Sequence, residues 1–252
     1  MEQLTFTAIL NRLFGGAVLA LLQALHIPVK HRNTPISNSF AMEVLVALLL
    51  TAFFIAVRTR LSVERPGGLQ HTMEAIHGFV SDLAGDTISD HSERYVAYLT
   101  VLMLFILIGN LIGLVPGLES PTAVPVVPLG CALFTWFYYH FYGVRANGAL
   151  GYFKHFIGPQ DKDIPAVLRI FLPILMFPIE AFSHLARIMS LTVRLFANMF
   201  AGEMVTLVFF SLIPLGIPLV FEGLHIGVSI IQTYIFVLLA AAYIGEATAH
   251  AH

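Results

Sequence analysis

Residues 189–210 read MSLTVRLFANMFAGEMVTLVFF and hold a single basic residue, Arg194, in a largely apolar stretch. An ionisable group inside a membrane helix is costly, so by default it indicates an ion pathway or a buried counter-charge. On a helix, residues three and four positions apart share one face. The face that includes Arg194 has small and polar side chains, which predicts a close contact with another surface. Its residues are Ser183, Arg187, Ser190, Arg194, Ala197, Asn198 and Ala201.

The composition places the whole chain in a lipid bilayer. Of its 252 residues, 58% are hydrophobic and 11% are charged, and the mean hydropathy is +0.83. Ordinary soluble domains carry roughly 25% charged residues. The few basic residues are scattered and form no continuous patch, which excludes nucleic acid as a partner.

Metal and disulfide chemistry have little support in the sequence. Cys131 is the only cysteine, so an intrachain disulfide and a cysteine-based metal site are both excluded. The histidines form no HExxH pair or similar metal-binding spacing. We therefore expect neither a bound metal nor a cofactor.

Several apolar runs are long enough to cross a bilayer, whose core of about 30 Å needs about 20 helical residues. We predict an all-α polytopic membrane protein with about five crossings. The third crossing ends in an aromatic cluster typical of the membrane interface. The predicted crossings are residues 40–57, 95–118, 122–142, 179–213 and 219–243.

Two further segments are expected at the membrane surface. Residues 70–90 place apolar side chains on one helix face and acidic side chains on the rest, which predicts an amphipathic surface helix. In residues 1–39, Asn11 and Arg12 disfavour a spanning helix and favour an interfacial one. We predict an extracytoplasmic segment over 1–39 and a single membrane domain over 40–252.

Residues 169–246 are predicted to form a C-terminal hairpin of two long helices. No proline occurs between Ile179 and Ile213, and a helix of that length is roughly 50 Å long, which exceeds the hydrocarbon thickness. The helix must therefore tilt steeply or break. Pro214 and Pro218 separate it from the second helix.

Lysine and arginine placement predicts the orientation, because cytoplasmic loops carry an excess of both. The connections at 119–121 and 214–218 carry neither, whereas two other connections are flanked by basic residues. We therefore predict an outside N-terminus and a cytoplasmic C-terminal tail, residues 246–252. The basic residues concerned are Arg58, Arg60, Arg65 and Arg94 at one loop, and Arg145, Lys154, Lys162 and Arg169 at the other.

The first helix of the hairpin separates its charged groups by face. Glu180, Arg187 and Arg194 are spaced by sevens and lie nearly on one face. Glu203 is nine residues past Arg194, about half a turn around the helix. Arg187 can pair with Glu180 one heptad earlier or meet lipid headgroups.

The second helix of the hairpin carries one polar seam, formed by Glu222, His225, Ser229 and Gln232. If the two helices pack together, Glu203 meets the Glu222 and His225 end. Gln232 then approaches Arg194. A carboxylate and an imidazole that both titrate, beside a fixed positive charge, are the parts of a proton relay.

The run 190–203, SLTVRLFANMFAGE, followed by His225 and Gln232, resembles subunit a of the F-type rotary ATP synthase. The similarity extends to Glu180, to SPTA at 120–123 and to NLIGLVP at 110–116. It covers most of the chain beyond residue 40, and residues 1–39 resemble the family only loosely.

The resemblance implies roles for individual residues. Arg194 would face a ring of c subunits and draw their carboxylate into the ionised state. Glu203 and His225 would line the outer half-channel, in the bacterial arrangement. Glu180 would belong to the cytoplasmic half-channel.

By the same resemblance, Asn198 and Gln232 would neighbour the arginine. Arg187, Ser190 and Glu222 are secondary candidates from their places on the polar helix faces, and the family motif does not support Glu222. Each polar residue other than Arg194 can also serve only to form hydrogen bonds between helices. Glu222 can also lie at a solvated helix end.

The implied partners are the ring of c subunits, b-type peripheral stalk subunits, the lipid bilayer and protons. The resemblance implies a non-catalytic, proton-translocating subunit in a bacterial inner membrane. Gly113 and Pro125 depart from the family pattern, since some members carry an acidic residue and an asparagine there.

Two other classes of protein are weighed against this one. A self-contained ion or solute transporter is expected to show internal repeats with broken helices, and we find no such repeat. An intramembrane protease needs a serine motif with a histidine base or a pair of membrane aspartates, and the apolar segments contain neither.

Overall fold

The computed structural model describes residues 4–26, 34–62, 66–88, 91–115, 117–155, 166–212 and 216–249. Within these ranges all regular structure is helical, which confirms the predicted all-α class. Two short 3₁₀ turns, Ile112–Leu114 and Pro121–Ala123, lie between the fourth and fifth helices. The helices are α1 (Thr5–Ala24), α2 (Asn38–Thr59), α3 (Gly68–Thr87), α4 (Glu93–Leu111), α5 (Val126–His155), α6 (Ala166–Leu212) and α7 (Ile217–Thr248).

Five helical segments in the described part of the chain are long and apolar enough to cross a membrane. They are Thr5–Ala24, Asn38–Thr59, Glu93–Leu114, Pro173–Leu212 and Ile217–Thr248. The chain is therefore an integral membrane protein. Four of the five predicted crossings match four of these segments. The remaining segment is α1, for which the sequence predicts an interfacial helix, and the remaining predicted crossing, residues 122–142, falls mostly in α5.

Helix α5 has the length for the remaining predicted crossing but is less apolar. Its centre carries Trp136, Tyr138, Tyr139 and His140, whose polar atoms lower its hydropathy. Gly148, with φ 71°, interrupts its regular backbone, and this left-handed conformation is one that glycine adopts without strain.

Helices α6 and α7 form the long pair that the sequence predicts. Helix α6 has 47 residues and α7 has 32, so at 1.5 Å per residue they are about 70 and 48 Å long. Both exceed the hydrocarbon thickness, which favours tilt. Pro173 and Pro178 lie inside α6 and remove two backbone donors. Pro214, at the predicted turn, lies outside the described residues.

The chain separates into two compact units. Unit 1 comprises Met1–His71, Leu104–Val127 and Phe196–Thr233, and unit 2 comprises Thr72–Met103, Pro128–Leu195 and Tyr234–His252. The domain boundaries predicted at residues 39/40, 70–90 and 169–246 stay predictions. So does the orientation, for which Arg65, Lys162 and residues 250–252 lie outside the described ranges.

In unit 1, α1 packs across the beginning of α2. Ser37 caps α2 by accepting a hydrogen bond from the Phe40 backbone N–H at 3.3 Å. Asn11 holds α1 to the residue before this cap, since its side chain donates to the Ile36 carbonyl at 3.1 Å and accepts from the Ile36 N–H at 3.0 Å. The small core here contains Ile36, Ala41 and Met42, with Leu4, Phe6, Leu10, Val18, Leu45 and Leu118 packed against it.

In unit 2, aromatic rings join α4 to α5. The rings of Tyr98 and Tyr138 stack with centroids 3.9 Å apart, and the Tyr98 hydroxyl lies 2.8 Å from that of Thr135. Helix α3 covers the predicted amphipathic segment and buries Val80 and Leu83. Its acidic residues Asp82 and Asp86 line a cavity of about 200 Å³.

Candidate functional site

Arg194 lies in unit 2, on α6, and its guanidinium donates a hydrogen bond to the Ser190 hydroxyl at 3.2 Å. The donor and acceptor are one helical turn apart. Among the described residues of unit 2, no carboxylate lies within ion-pair distance of Arg194. Its charge is therefore not neutralised within its own unit.

Arg187 lies seven residues earlier on the same helix and has both a counter-charge and an aromatic partner. It donates to the Glu246 carboxylate at 2.8 Å, and its guanidinium carbon sits 4.8 Å from the centre of the Tyr243 ring. Both partners come from α7. Neither the pairing with Glu180 nor the contact with lipid headgroups weighed from the sequence describes this arrangement, because the partner carboxylate is 59 residues away in the chain.

Glu180 pairs instead with a histidine that the sequence reasoning missed. Its Oε1 atom is 3.5 Å from His184 Nε2, one turn along α6. The other ring nitrogen of His184, Nδ1, is 2.8 Å from the Tyr139 hydroxyl on α5. The spacing of four residues between Glu180 and His184 was the available signal, because such pairs are neighbours on a helix.

Glu203, in unit 1, accepts a hydrogen bond from the Ser120 backbone N–H at 3.2 Å. Gly113 makes this approach possible, since a Cβ there would lie 2.9 Å from the Ser120 Cβ and 3.2 Å from the Glu203 carboxylate oxygen. The glycine noted as a departure from the family pattern thus leaves the space into which Glu203 and the 120–123 segment fit.

A buried chain of polar groups continues from Ser120. Its hydroxyl donates to the Gly109 carbonyl at 2.9 Å and lies 2.8 Å from the Thr122 hydroxyl. Thr122 donates to the Asn110 side-chain carbonyl at 2.7 Å. The Asn110 amide reaches the Thr233 hydroxyl on α7 at a longer 3.5 Å. The two sequence motifs at 110–116 and 120–123 therefore form one hydrogen-bonded cluster beside Glu203.

His225 packs against the residue next to Glu203. A Cβ on Gly202 would lie 2.5 Å from His225 Nδ1, so the imidazole occupies the space that a larger side chain would fill. The ring is buried, and its Nε2 atom makes no hydrogen bond of good geometry with a described residue. Within unit 1, α6 therefore approaches His225 at Gly202, and a contact between the Glu203 carboxylate and His225 stays a prediction.

A cavity of about 270 Å³ lies beside His225 and reaches Asn198. Its other lining residues are apolar or small and come from α6 and α7. At the far end, the Asn198 amide donates to the Gln232 side-chain carbonyl at 2.7 Å. Gln232 is buried, with its Nε2 atom unpartnered among the described residues. The lining residues are Asn198, Ala201, Gly202, Val205, Phe221, Leu224, His225 and Val228.

Two groups of sequence-predicted residues are therefore present, each within one unit. Glu203, His225, Asn198 and Gln232 all lie in unit 1, where His225 and Asn198 line one cavity and Glu203 binds the Ser120 backbone. Glu222 is partly buried on α7 in the same unit. Glu180, Arg187, Ser190 and Arg194 lie in unit 2.

Comparison with known proteins identifies the family. Residues 40–245 match the family model described as ATP synthase A chain. The chain is 57% identical over 251 residues to the ATP synthase subunit a of Koribacter versatilis (strain Ellin345), an alignment that covers 100% of this chain and 99% of that relative. It is 48% identical over 218 residues to the ATP synthase subunit a of Solibacter usitatus (strain Ellin6076), covering 86% and 90%.

A more distant relative gives the same result. The ATP synthase subunit a 1 of Syntrophotalea carbinolica (strain DSM 2380 / NBRC 103641 / GraBd1) is 42% identical over 208 residues, which are 82% of this chain and 84% of the relative. These alignments extend well beyond the motif around Arg194 and confirm the resemblance found in the sequence. The chain belongs to the ATP synthase A chain family.

Proposed function

We propose that this chain is the stator subunit a of an F-type rotary ATP synthase. In this role it carries protons to and from a ring of c subunits through two half-channels that do not join. The single observation that carries the proposal is that Arg194 has no counter-charge in unit 2, whereas Arg187 on the same helix has an ion pair with Glu246. An unpaired charge in a membrane helix is costly, so an arginine without a counter-charge indicates a functional site.

The surface around Arg194 supports contact with a partner helix. Ser190 and Ala197 are exposed on α6, and both side chains are small. Small side chains let helix backbones approach closely in a membrane. A ring of c helices turning past this face would bring each of its carboxyl groups near the guanidinium.

Electrostatics gives Arg194 its effect on such a carboxyl group. A carboxyl group surrounded by lipid is neutral, because desolvation disfavours its charged form, and a nearby positive charge restores ionisation. Arg194 therefore promotes proton release from the ring site that faces it. Its charge also repels protons that would cross directly between the half-channels. Arginine suits this role since it does not lose its proton when desolvated, as a lysine can.

The outer half-channel is formed by Glu203, His225 and the cavity between His225 and Asn198. A proton entering from outside binds the carboxylate or the imidazole and then passes through the cavity toward the ring. The buried Nε2 atom of His225 has room for a further hydrogen bond, as a proton-exchanging group requires. The Asn198 amide that lines the cavity is hydrogen-bonded to Gln232, and this neutral pair adds no charge there.

The cytoplasmic half-channel contains Glu180. Glu180 and Arg194 are fourteen residues apart on α6, about 21 Å at the helical rise of 1.5 Å per residue. A proton released from the ring near Arg194 leaves past Glu180. Each elementary charge that crosses gains about 2.3 kcal/mol per 100 mV, so several protons are combined for each ATP.

The proposed assembly includes a c-subunit ring and b-type stalk subunits in a bacterial inner membrane. The N-terminus would be outside and the C-terminus in the cytoplasm. A self-contained transporter is the competing function, and it is distinguished by solitary activity. Subunit a conducts protons only beside a c ring, whereas a transporter moves its solute alone.

Replacement of Arg194 tests the proposal. In membrane vesicles that contain the whole complex, we expect Arg194→Ala to abolish ATP-driven proton pumping, because ring carboxyl groups then lack the charge that ionises them. The matched control is Arg187→Ala on the same helix, which removes the ion pair with Glu246 and leaves most of the pumping. Wild-type pumping by the Arg194 variant would refute the assignment.

A further inference from the structure

The pair formed by Glu180 and His184 continues into a cluster of titratable side chains in unit 2. His184 is buried, with 10% of its side chain exposed, whereas 28% of the Glu180 side chain is exposed. The ring of His140 on α5 lies 4.7 Å from that of His184, and its Nδ1 atom is 2.6 Å from the Tyr152 hydroxyl. Glu180 is therefore the more exposed member of a largely buried cluster of titratable side chains.

Both nitrogens of His184 face groups that can exchange a proton. When Nδ1 carries hydrogen, it donates to the Tyr139 oxygen, and the Nε2 lone pair faces Glu180 at 3.5 Å. A hydroxyl group can donate or accept, so Tyr139 supports either neutral tautomer. Tyr139 also fixes the plane of the ring, because their rings stack with centroids 5.8 Å apart.

We propose that His184 shares the proton of Glu180, so that a carboxyl–imidazole pair serves the cytoplasmic half-channel. The proton leaves the Glu180 carboxyl oxygen and binds His184 Nε2, which yields a carboxylate and an imidazolium. The imidazolium keeps its Nδ1–H bond to Tyr139 and returns the proton to the Glu180 carboxylate, and the Glu180 carboxyl group then releases it to water. This inference rests on the proposed function, since it assigns a second proton carrier to the Glu180 side.

The surrounding charges allow the imidazolium to form. Arg187 is the nearest fixed positive charge, but it is neutralised by Glu246 at 2.8 Å. His140 is a second imidazole close to His184. Two positive charges this close repel each other, so only one of the two rings is an imidazolium at a time. The titratable and charged groups in the cluster are Tyr139, His140 and Tyr152 from α5, Glu180, His184 and Arg187 from α6, and Tyr243 and Glu246 from α7.

Substitution of His184 by glutamine in the whole complex tests this role. Glutamine can still hydrogen-bond Tyr139 but cannot take up a proton. We expect ATP-driven pumping in membrane vesicles to fall on the order of tenfold, less than the ~100-fold typical of an obligatory acid or base, since water also reaches Glu180. The dependence of the rate on pH should flatten near neutrality. The matched control is His77→Gln, an exposed histidine on α3 of the same unit.

A second variant separates proton transfer from positioning. His184→Ala leaves space for a small molecule, and we expect added imidazole to restore pumping in it and not in His77→Ala. The inference is overturned if His184→Gln pumps at the wild-type rate. It is also overturned if pumping falls equally at every pH and imidazole restores nothing. Should His184→Ala fail to assemble, the pH profile of His184→Gln decides.

Arg194→Ala in the same assay keeps the two proposals distinct. Loss of pumping in Arg194→Ala together with normal pumping in His184→Gln defeats the His184 role alone. Normal pumping in Arg194→Ala defeats the proposed function itself.

Discussion

At the scale of single residues, the absence of a side chain at Gly202 positions His225. The imidazole packs where a Cβ would lie 2.5 Å from Nδ1 and 3.1 Å from Cε1. Heavy atoms cannot approach this closely, so a larger residue at 202 and the present ring position exclude each other. His225 is thereby held beside the helical turn that carries Glu203.

Gly202→Ala should therefore disturb the outer half-channel without removing an ionisable group. The ring must rotate away from its rotamer, at a cost of about 1 kcal/mol, which corresponds to roughly a fivefold change in rate. We expect ATP-driven pumping in vesicles to fall by that order. Gly223→Ala on α7 has no atom within 4 Å of the added Cβ and should pump normally. Equal rates in the two variants would show that the ring position does not matter.

The sequence could select the candidate site residues but not most of the partners that the structure gives them. Arg194, Glu203 and His225 stand out because ionisable groups in apolar helices are rare. The Ser120 N–H that binds Glu203 is 83 positions away, and the Glu246 carboxylate that binds Arg187 is 59 positions away. Such pairings depend on how helices pack. His184 was within reach of the sequence, through its spacing from Glu180.

At the scale of helices, hydropathy predicted α2, α4, α6 and α7, because each is a long apolar run. It could not predict that α6 begins at Ala166, since the prolines at 173 and 178 suggest that the helix starts after them. Helix α3 was predicted from its apolar face alone. Its packing against α7 in unit 2 was not, because the close approach of the two backbones requires a glycine whose neighbour is distant in the sequence.

Gly245 on α7 is that glycine. A Cβ there would lie 2.7 Å from the Thr87 carbonyl oxygen, at the end of α3, and a backbone atom cannot move aside as a side chain can. We expect Gly245→Ala to separate the end of α3 from α7 at a cost of about 1–3 kcal/mol. The purified complex should lose subunit a at a lower temperature than wild type.

The control for Gly245→Ala is Gly227→Ala, on the same helix, where a Cβ meets nothing within 4 Å. This variant should match the thermal stability of wild type. If the two variants dissociate at the same temperature, the contact of α3 with α7 contributes nothing measurable to the assembly.

At the scale of the whole chain, the number of crossings depends on α1. Its length and hydropathy permit a span. Its contacts favour the interfacial helix expected from the sequence. Leu4 to Val18 cover about 21 Å of helix, yet they pack on a cluster centred on Ile36, Ala41 and Met42 at the start of α2. A helix that crossed the membrane beside α2 would have contacts spread along its length.

Thiol labelling decides between the two topologies. With Cys131 replaced by alanine, single cysteines at Thr5, Glu119 and Ala249 occupy exposed positions. If α1 is interfacial, Thr5→Cys and Glu119→Cys react with a membrane-impermeant maleimide in right-side-out vesicles, and Ala249→Cys reacts in inverted vesicles alone. If α1 spans the bilayer, Thr5→Cys lies on the cytoplasmic side and, like Ala249→Cys, is labelled only in inverted vesicles. Because Asn11 is hydrogen-bonded to Ile36, the first outcome also places the N-terminal end of α2 at the outer surface.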